Sequence, residues 1–413
     1  MDVLRLPLRG VSAAARAVLL SLLLAAVGCG GEEEGPSEEA ALLEQGRRYI
    51  EEDDYARAAL ERSLVNPDNG YSQLRLTSYT PTRWGALPLW NPPVVPARFG
   101  EEPREGESSP LRWSEGPWTR EALIALGREA FLRYPTQLAS YVEEGLESPE
   151  AAARFGLWES AGEGVGGVVW ARLPDGSWGA SLSCASCHAA VRDGALVLGV
   201  NNDRLRLGDM IGQASGLSSG PASGWGAGRV DVTPDGAENP VAIPDLRPLR
   251  FQTHLHRTGS VRNDPVALAV RLETLIITSH GEAVRPPRVV TWAMALFLWS
   301  LGEEAPAPEG EGAAVFAEAC AGCHRPPGYS GPPVRLDVVG TDPAVGLSAT
   351  RGTGGYRAPS LRGVGERRLL TASGAVADLE ELLDPRREAR GHRFGWALSE
   401  AERAALLAFC RAL

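Results

Sequence analysis

The chain has 413 residues, a formal net charge of −11 and 44% hydrophobic residues. That is length for two or three domains with real cores, and an acidic balance that argues against nucleic acid or an anionic membrane surface as the main partner. All 41 basic residues are arginine, which excludes Schiff-base chemistry, a P-loop lysine and a lysine axial ligand.

At the N-terminus Arg5, Arg9 and Arg16 precede the short apolar run "AVLLSLLLAAV". A basic region followed by an apolar stretch too short to span a bilayer is the pattern of an export signal, here over residues 1–28. Cys29, behind Ala26, Val27 and Gly28, resembles a bacterial lipoprotein cleavage site. The expectation is a periplasmic-side protein, lipid-anchored through Cys29. Residues 29–117 then read as an acidic Gly-rich tether, a helical stretch broken near Asp53–Asp54, and a Pro- and Trp-rich coil over 66–117.

The span 118–301 opens with "PWTREALIALGREAFLRYP", a helix that Thr119 caps and Pro135 stops. Residues 302–312 have the composition of a linker. The span 313–413 opens with the helical "GAAVFAEACAGCH" and closes with "LSEAERAALLAFCRAL". In the latter Ser399 and Glu402 form a capping box, and Leu406, Phe409, Cys410 and Leu413 share one face. Cys410 is therefore a core residue.

The two spans repeat each other. Pro244, Leu246, Arg247, Gly259 and Val261 align without a gap on Pro359, Leu361, Arg362, Gly374 and Val376. Residues 280–301 align on 392–413, histidine on histidine, and Gly127 and Phe131 align on Gly312 and Phe316. Residues 135–183 and about 193–242 are inserts in the first copy. "VVWARLPDGSW" within the first insert reads as a hairpin.

Each copy carries one pentapeptide, CASCH at 184–188 and CAGCH at 320–324. CxxCH is the attachment signal for c-type haem. Two thiols add to the vinyl groups, and the adjacent histidine is placed under the iron. Cys184, Cys187, Cys320 and Cys323 are thus the attachment residues, His188 and His324 the proximal ligands, and the cofactors two covalently bound haems c. A shared Cys₄ zinc site leaves both histidines unexplained. A thioredoxin-like pair lacks its strand–helix context at 320–324, and disulfides across CxxC are strained.

The pattern resembles cytochrome c, and the doubled chain is similar to the di-haem cytochrome c peroxidase superfamily, most closely at "YRAPSLRGVG" and "SGAVADLEELL". The resemblance implies a mainly α fold: two cytochrome c-like helical haem modules with long loops and a small β insert, plus an N-terminal helical extension. Two departures stand out. The family's aromatic-His-Asp-Gly turn is "LLTASG" here, and no methionine follows Cys320.

After His324 the one remaining histidine is His392, the expected sixth ligand of the second haem. Its "GHRFG" setting is similar to a segment of rubber-cleaving di-haem oxygenases. For the first haem the repeat nominates His280, with His254, His256, Met210 or an open position as rivals. Six-coordinate haems transfer electrons between redox protein partners. An open first haem, with His254, His256 or Glu273 as distal group, would instead suit a peroxidase or oxygenase.

Overall fold

The computed structural model describes residues 37–103, 108–113, 118–216, 221–233, 235–371 and 373–413. The expected signal segment and Cys29 lie outside the described residues. Contacts set a short N-terminal piece ending at Glu44 apart from a single unit, Gln45–Leu413. No described helix is long and apolar enough to cross a membrane.

The N-terminal extension is helical, as α1 (Glu38–Glu51) and α2 (Asp53–Ser63). Residues 66–117, expected as coil, prove more ordered. Asn69 caps α3 (Gly70–Ser78) and Thr80 caps α4 (Pro81–Ala86), whose first residue is proline. The local caps were present in the sequence, but the density of prolines obscured them. Strand β1 (Val94–Pro96) then joins β2 (Gln137–Leu138), β3 (Val168–Arg172) and β4 (Trp178–Leu182) in an antiparallel sheet of order β1-β3-β4-β2. The β3–β4 hairpin is the expected one. With α6 (Pro149–Phe155) the two inserts together build a core around Val142, Phe155, Leu182, Leu205 and Met210.

The principal helices are α5 (Arg120–Arg133), α9 (Pro265–Ser279), α10 (Arg288–Ser300), α11 (Glu311–Ala319) and α14 (Glu400–Arg411). Between them lie α7 (Cys184–His188), α8 (Leu207–Ala214), α12 (Leu336–Val339) and α13 (Leu379–Leu383). Thr119 caps α5, and Ser399 with Glu402 closes the capping box of α14. Cys410 is buried among Phe316, Leu406 and Phe409.

Two helix crossings set the frame. On α5 a Cβ added to Gly127 would lie 2.0 Å from the Ala293 carbonyl oxygen of α10; on α11 one added to Gly312 would lie 2.2 Å from the Ala405 oxygen of α14. Glycine is required because each helix backbone rests directly on its partner. Phe131 meets Phe297 at 5.3 Å between ring centres, and Phe316 meets Phe409 at 5.0 Å. These contacts sit at the positions the sequence repeat pairs. The hairpin formed by β5 (His254–Leu255) and β6 (Val261–Arg262) pairs Leu255 with Val261, and Leu370 pairs likewise with Val376. Both hairpins turn through a positive-φ glycine, Gly259 and Gly374.

The copies diverge beyond these hairpins. Asp264 caps α9, Pro265 occupies its first turn, and no breaker interrupts its 15 residues. In the second copy Pro385 follows Asp384, so α13 stops after five residues and a long loop replaces the helix. The back of α9 carries Glu273, fully buried, which accepts hydrogen bonds from Tyr49 and Tyr79 (both 2.7 Å), Trp84 and Arg288 (3.3 Å). Four donors satisfy this carboxylate, and they lock the extension to the helix.

Gly127→Ala and Gly312→Ala should each lower stability by about 1–3 kcal/mol through overpacking. Gly85→Ala, with nothing within 4 Å of the added Cβ, should change it little. Urea midpoints of the three variants check this.

Candidate functional site

One cavity of about 640 Å³ is lined by Cys184, Cys187 and His188 from one motif and by Cys320, Cys323 and His324 from the other. CASCH is held as a helical turn by its neighbours. Trp158 Nε1 donates to the Ala185 carbonyl at 3.1 Å, Ser186 Oγ to Gly167 at 3.0 Å, and the Asn202 amide to Cys187 at 2.9 Å. CAGCH continues from α11, with the Cys320 amide on Phe316 at 2.9 Å and that of His324 on Cys320 at 3.0 Å.

The two motif histidines are oriented alike. His188 Nδ1 lies 3.0 Å from the Pro244 carbonyl oxygen, and His324 Nδ1 lies 3.0 Å from that of Pro359 and 3.2 Å from that of Tyr329. A carbonyl only accepts, so Nδ1 carries the proton in each ring and Nε2 is left as a lone-pair donor. Pro244 and Pro359 are partners in the sequence repeat. Burial pushes the His188 pKa down to about 4, with the Pro244 carbonyl and Asp245 opposing, and pushes that of His324 down as well. Both imidazoles are neutral at physiological pH, as metal ligation demands.

All the described cysteines are free thiols. Burial raises Cys184 and Cys187 to about 12 and Cys320 to about 11, which keeps them protonated. Among the described residues no group of three or more His, Cys, Asp or Glu is placed to hold a metal ion. The four motif thiols line the cavity as two pairs, each next to its motif histidine. Haem fits the donor set: thiol pair, neutral imidazole, and apolar walls from Leu268, Leu272, Leu379 and Leu383.

His392 also lines the cavity. Its ring centre is 6.4 Å from that of His324, with 62° between the planes. Two imidazoles on opposite sides of one iron, each bonded at about 2 Å, place their centres about 6 Å apart. The loop is fixed by the His392 amide donating to Val339 at 2.7 Å and by Phe394 packing at 5.4 Å. The buried His392 Nδ1 has no partner. Burial first, then His324 and Arg387, bring its pKa down to about 4.

The first half gives a different result. His280, the leading candidate there, does not line the cavity. Its Nε2 lies 3.1 Å from the Pro135 carbonyl oxygen and its ring packs on Trp90 at 4.7 Å. It caps the long α9, whereas His392 sits on the loop that replaces that helix. The alignment placed two histidines in one column, but the helix carries one of them away. His254 also lies off the cavity, its Nδ1 3.0 Å from Thr253 Oγ1. Met210 is buried in the insert core, and Glu273 is the hub behind α9. His256 does line the cavity, but its Nε2 accepts from Arg271 Nε at 2.8 Å, which leaves Nδ1 to donate to Ser260 Oγ at 2.7 Å. Neither ring nitrogen is free. From α9, Leu268, Leu272, Leu275 and Ser279 also line the cavity.

Sequence reasoning missed the six arginines of this cavity, Arg257, Arg271, Arg351, Arg357, Arg367 and Arg368. In a chain whose basic residues are all arginine, no composition or spacing distinguishes those that line a cavity.

Residues 310–413 match the family model for cytochrome c. No curated protein matches the chain. This match supports a cytochrome c domain in the segment, which implies covalently bound haem c and supports a haem-based electron-transfer role.

His256 gives a test of the cavity's electrostatics. Burial, then Arg271, Arg75, Arg357 and Arg351, hold its pKa well below the usual histidine value. The unfolded chain therefore takes up this proton first as pH falls, and stability drops below about pH 6.5. Between pH 7 and pH 5 the wild type should lose about 2 kcal/mol more than His256→Gln. Urea unfolding at the two pH values measures the difference.

Proposed function

We propose that the chain is an exported di-haem c-type cytochrome that passes electrons between redox protein partners. It is lipid-anchored through Cys29 on the periplasmic side of a bacterial membrane and has no role with nucleic acid. The observation that carries the two-haem reading is the shared orientation of His188 and His324 by the carbonyls of Pro244 and Pro359. A second CxxCH could be accidental, whereas a second CxxCH with the same tautomer set by the matching proline needs a reason. Haem supplies a one-electron iron couple, and the chain's part is to hold, orient and enclose it. His324 and His392 would both hold the iron of the second haem, and a haem held by two side chains would serve electron transfer rather than substrate binding. Bis-histidine ligation favours a lower potential than a methionine would.

The first half supports a second reading. With His280 turned to Pro135, the first haem has no histidine above it, and an open haem belongs to a ligand-binding protein, a peroxidase or an oxygenase. The superfamily resemblance points the same way. The apolar wall from α9 would then enclose a small ligand.

The denaturing mass of the purified holoprotein should exceed that of the processed chain by two haems. A mass increase of one haem would end the two-haem reading. His392→Ala should convert one low-spin EPR signal to high spin and create a CO-binding haem, whereas His280→Ala should leave both spectra unchanged. CO bound by the reduced wild type selects the open-haem reading; spectra indifferent to CO select the electron carrier. Cys29→Ala should move the protein from the membrane to the soluble fraction.

A further inference from the structure

The loop that carries His392 runs from the end of α13 to the start of α14, and its backbone takes an unusual course. Gly391, His392 and Gly395 all have positive φ, at 85°, 48° and 86°. Glycine takes such a conformation freely, whereas a histidine keeps it only where its surroundings hold it there. Three contacts do so. The His392 amide donates to the Val339 carbonyl at 2.7 Å. A Cβ added to Gly391 would lie 2.5 Å from the Thr341 amide nitrogen, so the loop backbone rests directly on that residue. The third contact is with Arg387, which is only 7% exposed. Its Nη2 donates to the Gly391 carbonyl at 2.5 Å and to the His392 carbonyl at 3.2 Å.

Those two carbonyls belong to the peptide planes on either side of the His392 α-carbon. The planes define its φ and ψ, and these set the direction of the bond that carries the imidazole. One guanidinium nitrogen, with two N–H groups, therefore holds the aim of the ring. The charge of Arg387 is not used elsewhere. Its neighbour Arg386 pairs with Asp384 at 3.0 Å, whereas no carboxylate among the described residues pairs with Arg387. Its buried Nε and Nη1 have no partner, and Trp396 backs it, with the guanidinium carbon 5.3 Å from the ring centre. Burying an unpaired cation destabilises a fold, and the two bonds to the loop are what its burial achieves. We propose that Arg387 is the positioning residue of the second haem's sixth ligand, fixing the backbone at His392 so that its ring stays in the cavity wall facing His324. The proposal rests on the reading of His392 as that ligand.

EPR of the ferric holoprotein and CO uptake by the ferrous holoprotein test this. The second haem is identified first, as the one that His392→Ala turns high spin. If His392→Ala leaves every spectrum unchanged, the ligand reading fails and the positioning role fails with it. Arg387→Leu removes both donors and keeps an apolar stem against Trp396. It should raise the fraction of the second haem with His392 detached about tenfold, because two hydrogen bonds from a charged donor are lost. That fraction is read as high-spin signal and as CO bound. Added imidazole should restore the low-spin signal in this variant, since only the aim of the ligand has been lost. Arg387→Lys keeps a charged donor for the same carbonyls and should recover most of the wild-type behaviour. Arg386→Leu, one residue away and exposed, should change nothing. A high-spin second haem in His392→Ala, together with wild-type spectra and CO uptake in Arg387→Leu, would overturn the positioning role and leave the ligand reading intact. Detachment in Arg386→Leu equal to that in Arg387→Leu would also overturn it, because the loop would then respond to any lost charge. Should Arg387→Leu not fold, the structure of the wild-type holoprotein decides. Arg387 on both carbonyls with His392 on the iron supports the role, and Arg387 turned away from them overturns it.

Discussion

The site depends on a hydrogen bond from a histidine Nδ1 to a proline carbonyl. An imidazole has two nitrogens and must present a chosen one to a metal. A carbonyl at 3.0 Å makes that choice, because it accepts and cannot donate. Proline suits the position in a second way: lacking an amide proton, Pro244 and Pro359 leave the backbone there no donor to compete for the ring nitrogen. The motif supplies the histidine, and a residue 56 positions onward in one case and 35 in the other supplies its orientation. The intervening insert changes that separation without changing the geometry, which shows how strongly the contact constrains the chain.

The helix crossings hold this arrangement in place. Gly127 of α5 against α10 and Gly312 of α11 against α14 bring backbones into direct contact, and the phenylalanine pairs fill the space beside each crossing. Whatever lies between the first and last helix of a copy is free to vary so long as its ends return to this frame. The first copy uses that freedom for a sheet with its own core, and for α9 where the second has a short helix and a loop. The consequence for chemistry is large. A rigid helix buries its C-cap histidine against Trp90, while a loop delivers His392 to the cavity.

What the sequence made legible follows the same division. The two CxxCH motifs, the capped helices and the hairpin were readable because each rests on local spacing. The pairing of Pro244 with Pro359 was readable as a repeat, although its role as a histidine acceptor was not. His280 was misread because alignment preserves position and says nothing of which way a helix end turns its side chain. Glu273 looked like a candidate acid because its donors, Tyr49, Tyr79 and Trp84, come from about 190 to 220 residues away. The cavity arginines carried no local signal at all.

That last blind spot bears on why the basic residues are arginine. Burial lowers Arg75 and Arg357 to about 10, well below the ordinary guanidinium value. A lysine starts near 10.4, and the same environment would bring it close to neutral pH, where it would lose its proton for part of the time. A guanidinium absorbs the same desolvation and stays charged. Arginine composition, which at first sight reports only on what the chain cannot do, is thus what allows a permanent positive charge inside an acidic protein. Arg357 puts that charge in the wall of the cavity lined by both motifs, and Arg75 puts it against α9, where it donates to the Thr274 carbonyl at 2.7 Å.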